Sequence, residues 1–158
     1  MKNVVLGITL AIASTLSNAS DSKLTTFAIE QAHSKGFMGC DATIKSVFDQ
    51  PADISRVNVT WFEELRKDSL KITATWGSRG DSIFQEAEFR KHSGKCFVTR
   101  TMILTSPKSC TAHASENKAF EFLEEVGDFT WMANNGGVPM VLKSLNGGCV
   151  AIYQVDTF

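Results

Sequence analysis

The chain has 158 residues, 43% of them hydrophobic, with 16 basic residues against 17 acidic ones. A near-neutral balance with no basic run leaves no electrostatic footprint for nucleic acid or an anionic membrane surface, so neither is expected as a partner.

Met1 to Ala19 carries one basic residue, Lys2, then an apolar run from Val4 to Ile12, then small and polar residues ending in Ser17-Asn18-Ala19. That order is the pattern of a secretory signal peptide of bacterial type. A membrane anchor needs about 20 mostly apolar residues, and Ser14, Thr15, Ser17 and Asn18 interrupt the run too early. No cysteine follows the expected cleavage point, so no lipid anchor and no membrane insertion are expected once residues 1–19 are removed. The mature chain then carries a charge of about −2. Residues 20–158 suffice for one domain with a real core but not for two.

All four cysteines, Cys40, Cys96, Cys110 and Cys149, lie in that mature part. An even number in an exported chain reads as paired disulfides, and the gaps are far from the close C-x2-4-C pairs of structural zinc sites.

Ser22 to Ala32 is expected as a short helix, capped by Asp21 or Ser22, with Leu24, Phe27, Ala28 and Gln31 forming its stripe. A second helix runs from Asp41 or Ala42 to about Asp49, with Ile44, Val47 and Phe48 at helical spacing and Pro51 blocking continuation. Cys40 sits at its N-terminal edge, where a thiol can act as a nucleophile, but export favours the disulfide. Val57, Val59 and Trp61 alternate in a first strand that ends near Glu63. Asn58-Val59-Thr60 matches a glycosylation sequon, discounted because a strand interior is a poor acceptor.

Leu70 to Leu104 reads as a three-stranded meander. Leu70, Ile72, Ala74 and Trp76 share one face of its first strand, and Gly77 to Asp81 turns the chain. Ile83, Gln85, Ala87 and Phe89 then alternate with Phe84, Glu86, Glu88 and Arg90, before a second turn over Lys91 to Lys95. The third strand, Cys96 to Thr105, has apolar residues on both faces, which predicts a central strand covered on each side. Ser106 to Glu116 is polar and reads as a loop; 116–126 is assigned to helix because Glu, Lys, Ala and Leu dominate it and no β-branched residue precedes Val126, although Phe120 and Phe122 also fit a strand that turns at Gly127. Phe129 to Ala133, Val138 to Leu142 and Cys149 to Val155 form a second meander through Asn/Gly-rich turns. Pro139 cannot donate to a ladder and is expected at a solvent-facing or bulged position. No repeat of fixed period is present.

Geometry narrows the disulfides. An extended Cys96 to Thr105 carries the chain about 30 Å, and five loop residues recover about 15 Å of that. A disulfide needs Cα atoms within about 7 Å, which argues against Cys96–Cys110 and with it Cys40–Cys149. Cys40–Cys96 with Cys110–Cys149 is preferred of the remaining two, because an antiparallel last strand would begin near the end of the Cys96 strand.

Chemistry is sparse. His33, His92 and His113 fall at predicted loops or helix ends, none in a metal-type pair, and are expected at the surface. G-x-S-x-G is absent, so no serine sits in a recognisable nucleophile elbow. Glu63, Glu64, Glu86 and Glu88 could supply a carboxylate pair, and Glu86 and Glu88 would lie about 7 Å apart on one strand face. A solvated face gives the same spacing. Trp61, Phe62, Trp76, Phe84, Phe89, Phe97, Phe129 and Trp131 are many rings for one small sheet, suited to a core first and to a pocket or interface second.

The expected fold is α+β, with N-terminal helices packed on an antiparallel sheet of about six or seven strands and two disulfides. The expected function is non-enzymatic binding of another protein in the periplasm, such as a toxin or a cell-wall hydrolase, with no cofactor or metal. A carrier of an apolar small molecule, then a small hydrolase, are the alternatives. Glu86, Glu88 and Arg90 are the expected partner-facing residues.

Overall fold

A computed structural model describes residues 22–49 and 55–157, so the expected signal peptide and the helix stop at Pro51 lie outside the described residues. The first half comprises α1 (Lys23–Ser34), α2 (Asp41–Phe48), β1 (Ser55–Thr60), β2 (Ser69–Ser78), β3 (Asp81–His92) and β4 (Lys95–Ser106). The second comprises α3 (Cys110–Glu116), β5 (Phe120–Val126), β6 (Phe129–Asn134), β7 (Pro139–Leu145) and β8 (Gly148–Thr157). The strands form one antiparallel sheet in the order β1-β2-β3-β4-β8-β7-β6-β5. Eight strands stand where six or seven were expected, and one of the three helices follows β4 rather than preceding the sheet. No described helix is long and apolar enough to cross a membrane.

The helices form where capping and burial agree. Ser22 Oγ accepts the Thr25 amide at 3.1 Å and so caps α1. The buried stripe of α1 is Leu24, Thr25, Ala28 and Ala32. Phe27, expected in that stripe, is turned outward and 44% exposed. In α2, Ile44, Val47 and Phe48 are buried as expected. Its last carbonyls would be orphaned at a helix end. Phe48 O instead accepts from the hydroxyls of Thr25 at 2.9 Å and Ser22 at 3.2 Å, and Val47 O accepts from Nε2 of the buried Gln85 at 2.9 Å. Those bonds pin α2 to α1 and to β3. Leu24, Phe37, Ile44, Phe48, Ile72 and Phe89, each at most 1% exposed, fill the layer between the helices and the sheet.

The even-numbered positions of β2 face α1 and α2, and register carries that face across the sheet. Ile72 lies opposite Ala87, Phe89 opposite Val98, and Met102 opposite Tyr153. α3 packs on the same face against Met132, Met140, Leu142 and Ala151. β4 is central, but the expectation that it is covered on each side is corrected, because no described helix lies on the other face. Phe84 and Trp131 remain 37% and 39% exposed there.

Two further expectations are overturned. Residues 110–116 are helical: Ser109 Oγ accepts the Ala112 amide at 3.2 Å, and only Cys110 and His113 of that helix are buried, too short a stripe to read from sequence. Residues 120–126 form the edge strand β5, closed onto β6 through Gly127. Its glutamates and leucine favour helix intrinsically, but hydrogen bonding to β6 decides the outcome. Both turns of the first meander are also tighter than expected. Arg79-Gly80 and Ser93-Gly94 are two-residue turns, and Gly77, at φ +108°, sits where a β-carbon would come 2.5 Å from Asp81 O. Pro139 opens β7, where a missing N–H is least disruptive.

The disulfides are Cys40–Cys96 and Cys110–Cys149, the preferred pairing. The reason given for it also holds, since Cys149 lies directly opposite Ser106 in the β4–β8 register. Each half thus repeats one plan: a helix opened by a cysteine, a four-stranded meander, and a bond to the second residue of the last strand. The bonded cysteines are 56 residues apart in the first half and 39 in the second, so no fixed period betrays the repetition.

Candidate functional site

β1 is an edge strand, and the chain leaves it through the exposed segment 61–68. Leu65 N donates to Phe62 O at 2.9 Å and Asp68 N to Leu65 O at 2.8 Å, which folds the segment into a compact turn. Lys91 N donates to Asp68 O at 2.7 Å and anchors that turn to β3. Trp61 is held by Lys35, whose Nζ lies 4.5 Å from the ring centroid, and by its indole N–H, which donates to Glu63 Oε2 at 3.1 Å. Phe62 and Leu65 stand in solvent at 73% and 49% exposure.

Beside Trp61 and Phe62 opens a cleft of about 220 Å³ lined by Thr60, Trp61, Phe62, Ser69, Leu70, Lys71 and Glu88. Arg90 Nε donates to Glu88 Oε1 at 2.9 Å, and Lys71 Nζ lies 3.0 Å from Glu86 Oε1. The expected Glu86, Glu88 and Arg90 therefore share the helix-free face of β3, and each is engaged in an ion pair. Glu88 alone of the three lines the cleft. Leu65 and the cleft escaped the sequence reading because they depend on how 61–68 folds back onto β2 and β3. One signal was present: adjacent Trp61 and Phe62 at a strand end cannot both point into the same core.

A second cleft, of about 380 Å³, lies at the opposite end of the β1–β2 pair and includes Arg56 and Arg79.

The histidines do not converge. His33 Nε2 bonds Asp41 Oδ1 at 2.8 Å, joining α1 to the start of α2. His92 ends β3 at the turn. His113, expected at the surface, is instead 8% exposed in α3, with Nε2 2.8 Å from the Tyr153 hydroxyl. Burial pushes its pKa below the ordinary 6.5 more than Glu116 raises it, with Lys108 also lowering it. Burial pushes the Tyr153 hydroxyl up, so a protonated phenol beside a neutral imidazole is the favoured pair. No serine, threonine or cysteine side chain bonds any of the three histidines among the described residues. No group of three or more His, Cys, Asp or Glu there could hold a metal ion.

These directions fix a pH dependence. Folded His113 binds fewer protons than unfolded His113, so its contribution to stability is complete above pH 6.5 and is lost as pH falls through the lowered folded value. Denaturant melts at pH 7.5 and 5.0 should show a smaller difference for His113→Gln than for the parent. An equal difference would show that His113 is not the titrating group.

No family model, curated protein or solved structure matches this chain, so the functional reading rests on geometry alone.

Proposed function

We propose that this protein is an exported, non-enzymatic binding protein that captures another protein in the bacterial periplasm, as an inhibitor of a cell-wall hydrolase or an immunity protein against a delivered toxin does. The observation that carries this reading is the corner at segment 61–68, where Trp61 and Phe62 line a cleft together with Lys71 and Glu88, each paired with a further charge on β3, and Leu65 stands exposed on the same segment. Apolar anchors around a pocket, with charges at the rim, are the usual energetic centre of a protein interface. Two disulfides fit an oxidising compartment. A carrier function is not favoured, because the layer between α1, α2 and the sheet is filled by side chains.

A benzophenone photocrosslinker at position 62, in cells exporting the full chain, is expected to yield one dominant adduct with a single protein. Phe62→Ala and Trp61→Ala should each weaken that complex at least about tenfold, the scale of an interface anchor. An adduct pattern no different from that of a crosslinker at Ser115, exposed on α3, would sink the reading.

A further inference from the structure

We infer that the helix-free face of the sheet is covered by a second copy of this chain, related by a two-fold axis that runs along the strands between β4 and β8. This goes beyond the proposed capture of another protein, which uses the 61–68 corner at one end of the same face, beyond the lines through Ser82, Phe84 and Thr101 that the second copy meets. Phe84, Ile103, Ile152, Val141 and Trp131 lie directly opposite one another on β3, β4, β8, β7 and β6. They form an unbroken apolar row of about 19 Å at ordinary strand spacing. The same register line continues through Thr75 to Arg56 on edge strand β1, and to Glu124 on the other edge strand, β5. One line across eight strands thus reads positive, apolar, negative.

That order is self-complementary under one axis. Rotation about a line between β4 and β8 reverses the strand order. It sets Ile103 of one copy against Ile152 of the other, Phe84 against Val141, Thr75 against Trp131, and Arg56 at the rim against Glu124. The neighbouring lines also fit. Thr105 meets Val150 and Ser82 meets Lys143 on one side, and Thr101 meets Gln154 on the other. An axis along the row itself would set Arg56 on Arg56 and Glu124 on Glu124, so electrostatics select the first. Eight strands span about 34 Å, and β3 and β4 run 12 residues each. The face therefore offers on the order of 1,000 Å² of flat area, against the roughly 800 Å² per partner that a stable interface needs. Two such sheets pack about 10 Å apart with strands within about 30°.

The test is sedimentation velocity of the mature, oxidised protein at 100 µM, with circular dichroism to confirm folding. The parent is expected as a dimer and Ile152→Lys as a folded monomer. Arg56→Glu should weaken self-association at least tenfold, and the double variant Arg56→Glu/Glu124→Arg should restore it. A photocrosslinker at Thr101 should join two copies of the chain through β8. A monomeric parent, a dimer indifferent to Ile152→Lys, a charge swap that fails to restore association, or adducts from Thr101 only to a different protein would each overturn the inference. Phe62→Ala leaves the dimer intact on this reading, so failure of dimerisation and failure of capture are read on separate variants.

Discussion

Replacing Phe48 with alanine is expected to cost about 3–5 kcal/mol, the range for emptying a buried phenylalanine site. Phe48 is 0% exposed, and its ring lies 6.3 Å from that of Phe89, also 0% exposed, between α2 and β3. The cavity cannot easily collapse. The Phe48 carbonyl is held by Thr25 and Ser22, and the Val47 carbonyl by Gln85, so the end of α2 has little freedom to sink towards the sheet. A loss of that size is a large share of the total stability of a small domain. It should appear in thermal melts as a fall of roughly 10–20 °C. A loss below about 1 kcal/mol would mean that the helix layer repacks freely, contrary to the pinning described above.

The second large effect is expected from Cys110→Ala/Cys149→Ala. Closing a loop with cysteines 39 residues apart is worth about 4 kcal/mol in the chain-entropy account, within a usual range of about 2–5 kcal/mol. The consequence here is local as well as global. α3 has seven residues and buries only Cys110 and His113, far below the length at which a helix persists alone. Without the bond it should fray first, which hydrogen exchange would detect as loss of protection over 110–116 while β3 and β4 stay protected. Removing Cys40 and Cys96 should destabilise by a similar amount but leave α1 and α2 in place, because Leu24, Ile44 and Phe48 still bury against the sheet. If α3 amides stay protected in the Cys110/Cys149 double variant, packing rather than the covalent bond holds that helix.

Much of the fold was legible because its signals are local. Leu70, Ile72 and Ala74 alternate with polar neighbours, and that period alone fixes a half-buried strand. Ser22 and the Asn/Gly-rich turns mark ends through capping and turn geometry. The disulfide pairing followed from chain length and strand direction, both of which a sequence carries. The site was less legible. Glu86, Glu88 and Arg90 could be placed on one face by period, but their ion pairing with one another and with Lys71, and the cleft beneath Phe62, depend on neighbours brought together from separate strands.

The sequence by itself determined β1 to β4, β6 to β8, the first two helices and the preferred cysteine pairs, because each depends on contacts or distances within one short stretch or on simple reach. Only the tertiary structure decided that 120–126 is a strand, since β6 supplies a hydrogen-bonding partner that outweighs the helix preference of its glutamates. Likewise it decided that 110–116 is a helix, since the bond to Cys149 and the contact with Tyr153 hold a segment too short to be helical alone. And it decided which faces are covered. A strand with apolar residues on both sides, such as Cys96 to Thr105, reads the same whether its second face is buried by its own chain or left for another. Here the described helices all lie on one side, and they leave the row from Phe84 to Trp131 uncovered.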